Sequence, residues 1–414
     1  MSISSQEFRF PQDPFLTRSL LSFRKVRKPD LHQWKFMSSH NFLWARNAIY
    51  HSLRAAKLSP GDEVLVPAYI CKVVPEAILA FGAKVIFYRV DRKCCPDFTD
   101  LEGRIGARTR GLIAVHYFGF AQPIKRLREF CLRHNLYLIE DCAHVLQSEA
   151  EGQPLGSFGD VSVFSLRKFF PIYDGGELIL NRADAELNID WSRESSLFTL
   201  KVGKDILDQL VSRTTNPMIR FPYGLIQSIK RLFLAMFDPH LYSGTWRVEK
   251  TGASFDHRLV NHPISRLSKM ILTHSDISQI VEPRRANYLF LQQELANVDG
   301  LQFLVTELPL GVCPWVFPIF FDGRPDACSA LREEGIPAVT WEGVIPAGFP
   351  EKLFPDADFL YRSLIFLPVH QSLASEDLRR IVQVAKRVSR DRTPRGVEST
   401  RPPSVPTESL KILR

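Results

Sequence analysis

The densest chemistry in this sequence lies in Phe164-Ser165-Leu166-Arg167-Lys168, which sets a hydroxyl, a guanidinium and an amine on one short stretch. Gly175-Gly176 follows seven residues after the lysine. A cofactor aldehyde needs an amine of this kind. Lysine suits because partial desolvation lowers the pKa of its ammonium group, so the neutral nucleophile becomes available near neutral pH and can later act as a base. The plainer alternative is a surface lysine beside a glycine turn.

Asp141 stands 27 residues earlier, at the end of the apolar run Leu136-Tyr137-Leu138-Ile139-Glu140. A carboxylate at the C-terminal end of a buried strand is costly without a cationic or hydrogen-bonding partner. A protonated pyridine nitrogen would be such a partner, and the protonated ring would serve as an electron sink. Capping of a following helix is the competing explanation for an aspartate there. His144 could meet the cofactor's phenolic oxygen or its ring face, or be an ordinary satisfied polar residue. A phosphate calls for a helix start with available backbone amides, and Ala45-Arg46-Asn47-Ala48 offers one with the positive end of the helix dipole behind it. Ser165 and Arg167 would add side-chain contacts.

The elements needed to position these residues follow from the rhythm of the chain. From about residue 46, helical and strand patterns alternate: helix from Arg46 to Lys57, strand from Glu63 to Val66, helix from Val73 to Phe81, strand from Lys84 to Tyr88. A helix near Phe98 to Ile105, a strand from Gly111 to Val115, a helix from Ile124 to His134 and a strand from Leu136 to Ile139 continue it. Strands from Val161 to Ser165 and Glu177 to Leu180 flank the lysine loop. Such alternation predicts a mainly parallel sheet covered by helices, with ligands at the strand ends. Ile264 to Asn297 reads as one long helix, and residues 300–388 as a smaller strand-and-helix unit with a strand from Trp315 to Phe321.

Composition narrows the class. The chain has 414 residues, 45% of them hydrophobic and 24% charged, which suits a soluble globular protein of one large and one smaller unit and argues against a disordered or fibrous one. No signal-peptide pattern and no membrane-length apolar run is present, so a cytoplasmic address is expected. Seven cysteines without a C-x-x-C pair point to neither a zinc site nor a disulfide framework. Of the net charge of +8, five units fall in residues 386–414, where eight basic residues face Asp391, Glu398 and Glu408. That proline-rich tail reads as disordered, and nothing singles out a nucleic-acid partner. Pro222 to Phe237 is amphipathic and reads as a helix packing on the protein, or alternatively as a membrane-surface contact.

With these residues in view, the chain resembles the DegT/DnrJ/StrS sugar aminotransferases, pyridoxal-phosphate enzymes of fold type I. Four ordered blocks carry the resemblance: SPGDEVLVPAYIC, VHYFGFAQPI, IEDCAH, and GSFGDVSVFSLRK with DGGELILN. It runs from about residue 38 to 182 and more weakly to 388. It implies a large unit with a mainly parallel seven-stranded sheet over residues 38–260, a divergent insert at about 184–260, and a smaller α+β unit over 261–388. Residues 1–37 would form an extension and 389–414 a tail. Position by position, Lys168 matches the lysine that carries the cofactor, Asp141 the carboxylate at the pyridine nitrogen, His144 the Gln/His beside it and Ser165 the phosphate-binding serine.

The chain departs from the family pattern in four places. Ser165 precedes the lysine by three residues where five is usual. Arg46 and Asn47 replace the Gly-Thr-x-Ala helix start. Cys71 stands where an aromatic residue often stacks on the ring, leaving Tyr69 or His144 as substitutes. The Asn-Tyr-Arg-Met block, which reaches across the family's dimer, survives only as HPISRLSKM at His262 to Met270. The resemblance implies amino transfer from an amino acid, glutamate foremost, to a nucleotide-linked keto sugar, with pyridoxal 5'-phosphate as cofactor and a homodimer as the assembly. Sugar dehydration on the same cofactor and a non-catalytic sensor or scaffold are the rival readings. Dehydrating relatives commonly lack the lysine, and a scaffold needs neither Lys168 nor Asp141.

Overall fold

The computed structural model describes residues 14–17, 20, 38–182, 186–193, 199, 202–204, 206–208, 211 and 255–391. Most of the N-terminal extension, most of the insert at 184–260 with its amphipathic stretch 222–237, and the tail beyond 391 lie outside the described residues.

A seven-stranded sheet forms the larger unit. Its strands are β1 (Ser38–Phe42), β2 (Glu63–Pro67), β3 (Lys84–Tyr88), β4 (Thr109–Val115), β5 (Tyr137–Cys142), β8 (Val161–Ser165) and β9 (Gly176–Leu180), with a two-strand hairpin of β6 (Glu149–Ala150) and β7 (Gln153–Pro154) set aside from it. The spatial order is β1-β9-β8-β5-β4-β2-β3. Pairings from β3 across to β8 are parallel, whereas β8–β9 and β9–β1 are antiparallel. Helices α1 (Ala45–Ala55), α2 (Val73–Phe81), α3 (Phe98–Gly103) and α4 (Ile124–Arg133) make the connections. The sequence-read elements appear within a few residues of their expected bounds. Strands β8 and β9 are buried at every position, as expected of a sheet covered on both faces.

The region read as one helix from 264 to 297 is two: α5 (Arg266–His274) and α6 (Ser278–Leu295). Ser275 has an extended backbone, and Asp276 accepts from the Ser278 amide at 3.0 Å, so a new helix start is capped where the pattern ran on. Before this break the chain belongs to the large sheet. Pro263 bridges to Phe42, and Ile264, Ile271 and Leu272 share a core with Phe164, Leu166 and Phe169, which Ile280 joins from the first turn of α6.

Downstream, β10 (Leu301–Phe303), β11 (Val316–Phe321) and β12 (Ile365–Pro368) form an antiparallel three-stranded sheet in sequence order. Helices α7 (Ala327–Glu333), α8 (Pro355–Ser363) and α9 (Ser375–Arg390) complete this unit. Tyr288, Phe317, Leu367 and Ile381 lie in its separate core. All seven cysteines are free thiols. Among the described residues no helix is long and apolar enough to cross a membrane.

Candidate active site

The carboxyl ends of β4, β5 and β8 and the amino end of α1 converge on a cavity of about 390 Å³, to which Val115, Asp141, Ser165 and Arg46 contribute. Two glycines bring the helix start and the lysine loop together. Gly175 holds φ +109°, where a side chain is strained; its amide donates to Leu43 O at 2.8 Å and its carbonyl accepts from the Leu166 amide at 2.9 Å. A Cβ on Gly176 would lie 2.2 Å from the Trp44 carbonyl carbon and 2.3 Å from the Ala45 nitrogen. Only glycine lets β9 pass beneath the first turn of α1. Between these anchors the loop makes a 3-10 turn over Leu166–Lys168, and Asp174 accepts from the Ser265 amide at 2.6 Å and from the Ser268 hydroxyl, tying the loop to α5.

Lys168 is half-buried and projects into the cavity with its amine 4.6 Å from the centre of the Trp315 ring. Burial pulls its pKa down to about 8, with the Asp141 charge opposing that shift. Asp141 is buried and accepts from the Ala143 amide at 2.9 Å; no helix follows it, so the capping explanation falls away. Burial pushes its carboxyl pKa up, and Lys168 pulls it down. A desolvated carboxylate of this kind is a strong acceptor for a cationic N–H.

Its neighbour Glu140 points to the other face of the sheet, where it accepts from His116 Nε2 at 2.9 Å, the Gly156 amide at 2.9 Å and the Gly159 amide. Alternation along β5 thus gives one carboxylate to the scaffold and the next to the cavity.

His144 is buried, accepts from the Phe118 amide at its Nδ1 (3.2 Å), and stacks on Trp315 with ring centres 4.2 Å apart. Burial, with Lys168 adding to it, holds its pKa well below the usual value, so the imidazole is neutral. Ser165, exposed Arg167 and Arg46 line the same cavity. Asn47 does not. Its side-chain amide turns away to donate to the carbonyls of Leu259 and Val260 (2.5 and 3.2 Å), and its backbone amide bonds Trp44 O at 3.0 Å. Tyr69 is fully buried behind the cavity, packed on Trp341 with ring centres 4.7 Å apart. It offers no stacking face, while Cys71 lines the wall.

Arg284, Trp315, Trp341 and His370 of the opposite wall escaped the reading from sequence. None belongs to a short motif, and the one signal in the sequence was the pair Arg284-Arg285 inside a long helical stretch.

Set against known proteins, residues 45–189 match the DegT/DnrJ/EryC1/StrS aminotransferase family. Over 148 residues the chain is 37% identical to the UDP-N-acetyl-3-dehydro-alpha-D-glucosamine 3-aminotransferase of Acidithiobacillus ferrooxidans, covering 34% of this chain and 39% of that one. Over 137 residues it is 34% identical to the GDP-perosamine synthase of Vibrio cholerae, covering 32% and 37%. The matches thus span less than two-fifths of the length of these curated relatives. The fold is shared far more widely: Spr1654 of Streptococcus pneumoniae, solved in a PMP form, superposes with a TM-score of 0.64 at 18% identity over 92% of this chain and 98% of that one. Its PLP form gives 0.63.

Proposed function

We propose that this chain, whose residues 45–189 match the DegT/DnrJ/EryC1/StrS aminotransferase family, is a pyridoxal-phosphate-dependent aminotransferase moving an amino group from an amino acid, glutamate foremost, to a keto sugar linked to a nucleotide. The observation that carries the reading is the convergence of Lys168 and Asp141, a low-pKa amine and a desolvated carboxylate, in one cavity. The donor set fits the cofactor. Asp141 would hold the protonated pyridine nitrogen, and Ser165, Arg46, Arg167 and the opening amides of α1 would hold the phosphate. Neutral His144 would face the ring or its phenolic oxygen. When bound, the cofactor supplies an electron-withdrawing ring that stabilises negative charge at the substrate carbon.

In this reading the protein's own task is proton handling and exclusion of water. Lys168 Nζ would take the proton from the substrate carbon and return one from the same face of the site, and a pKa near 8 matches that duty near neutral pH. Trp315 and Trp341 would shut the cavity on the side away from the sheet. A scaffold would have no use for the Lys168–Asp141 pair, and a dehydratase none for the lysine. A homodimer with subunits related through residues 262–270 belongs to the same proposal, as does a division into a cofactor-holding unit and a closing C-terminal unit, with the boundary moved from 260/261 to the break after α5 because Ile264, Ile271 and Leu272 pack with the larger sheet.

Incubation with pyridoxal phosphate, reduction with cyanoborohydride and peptide mass spectrometry test it. A pyridoxyl adduct on Lys168, absent in Lys168→Ala, is expected, with a trapping rate that rises as pH passes through about 8 because the neutral amine is the nucleophile. Bleaching of the visible band of the bound cofactor by glutamate would identify the donor. Trapping spread over surface lysines with none on Lys168 would end the proposal.

A further inference from the structure

The backbone around Lys168 leaves two carbonyls that the loop itself cannot satisfy. In the turn over Leu166–Lys168, the residue placed to donate to Lys168 O is Pro171, which has no N–H. Ile172, placed to donate to Phe169 O, bonds Phe170 O instead. Both carbonyls are met from outside. Arg284 on α6 donates through Nη2 to Lys168 O at 3.1 Å, and Gln371, just after β12, donates through Nε2 to Phe169 O at 2.7 Å. The two side chains join, Arg284 Nε to Gln371 Oε1 at 2.9 Å, and the guanidinium lies over the Phe169 ring at 4.7 Å. Its remaining arm, Nη1, donates to Trp315 O at 3.0 Å and to Pro314 O at 3.4 Å.

Arg284 is 0% exposed, and every acceptor it meets is neutral. Burying a cation with no counter-charge beside it is costly, and a neutral donor could meet a carbonyl without that cost. The planar guanidinium instead provides three rigid directions of donation from one group, which neither lysine nor glutamine can reproduce. Two of those directions end on the peptides of Lys168 and Trp315, whose side chains meet 4.6 Å apart over the cavity.

We infer that Arg284 is a positioning residue that, with Gln371, clamps the Lys168 peptide to the Trp315 peptide and so fixes the amine against the indole. The inference deepens the proposed function and rests on it for its catalytic meaning, while the clamp can be probed without cofactor. Competitive reductive methylation of the cofactor-free protein with formaldehyde and cyanoborohydride, read at Lys168 by mass spectrometry over a pH series, follows the amine directly.

In Arg284→Gln the released amine moves toward water, so its midpoint is expected to rise from about 8 by roughly one unit toward the ordinary lysine value. In the pyridoxal-phosphate-loaded enzyme, kcat should fall by about tenfold to a hundredfold with KM for the sugar little changed. Arg284→Lys should recover part of both, and Arg285→Gln, which removes bonds to Pro309 O and Val312 O on the outer side of α6, should change neither midpoint nor kcat. A folded Arg284→Gln with lowered Tm but wild-type midpoint and kcat would overturn the clamp and leave a purely structural arginine. Should Arg284→Gln fail to fold, Gln371→Ala removes the second arm and decides by the same two readouts. Absence of a pyridoxyl adduct on wild-type Lys168 would sink the functional reading alone, since the methylation midpoint judges the clamp separately.

Discussion

The cavity wall built from strand ends and the wall contributed by residues 284–370 hold their side chains in opposite ways. On the first, backbone does the placing: Asp141 and Ser165 end buried strands, and Gly175 and Gly176 allow the lysine loop to pass under α1 at a distance no other residue permits. On the second, side chains place other side chains. Arg284 holds the Trp315 and Lys168 peptides, Trp315 covers His144, and Trp341 packs on Tyr69. The difference teaches where tolerance lies. A wall set by backbone fails all at once when it is crowded, and a wall set by side chains loses function in steps.

Four substitutions sharpen or break that contrast. Gly176→Ala drives a methyl into the Trp44–Ala45 peptide and is expected to cost on the order of 3 kcal/mol or more, read as a collapse of Tm or of soluble yield. A loss under about 1 kcal/mol would show that α1 can shift aside, and the backbone account of this wall would be wrong. Trp315→Ala should weaken pyridoxal-phosphate binding roughly tenfold while leaving the fold intact, whereas Cys71→Ala should change it less than about twofold. Titration of the visible band measures both, and the reverse ranking would return the ring-covering role to the strand-end position. Asn47→Ala, at the foot of α1 but turned outward to Leu259 and Val260, should lose about 1 kcal/mol of stability and leave cofactor affinity untouched. Weaker binding in that variant would bring Asn47 back into the phosphate site.

The same contrast explains what was legible in the sequence. The sheet, its helices and the Lys168–Asp141 pair were readable because period-2 and period-3.6 patterns, turn glycines and strand-end polar residues are local marks of backbone geometry. Asn47 was misplaced because a helix start fixes where amides point but leaves open which way a neighbouring side chain turns, and two carbonyls from residues 259 and 260 capture it. The 264–297 pattern hid a helix break because Asp276, which accepts from the Ser278 amide, looks like any acidic residue within a helical run. Arg284, Trp315 and His370 were not readable, since their place in the cavity depends on how the C-terminal sheet docks on the larger one. No spacing within the chain records that docking.

The ordered N-terminal piece carries a consequence in time. Pro14 contributes to the cavity wall, the Phe15 amide donates to the Ser372 hydroxyl, 357 positions later in the chain, and the Asp276 amide donates to Leu20 O. During synthesis from the first residue onward, the seven-stranded sheet can assemble long before Ser372 leaves the ribosome. The nascent chain therefore carries an unfinished cleft until the residues near 372 emerge, and the segment around Pro14, made before the sheet, waits for them.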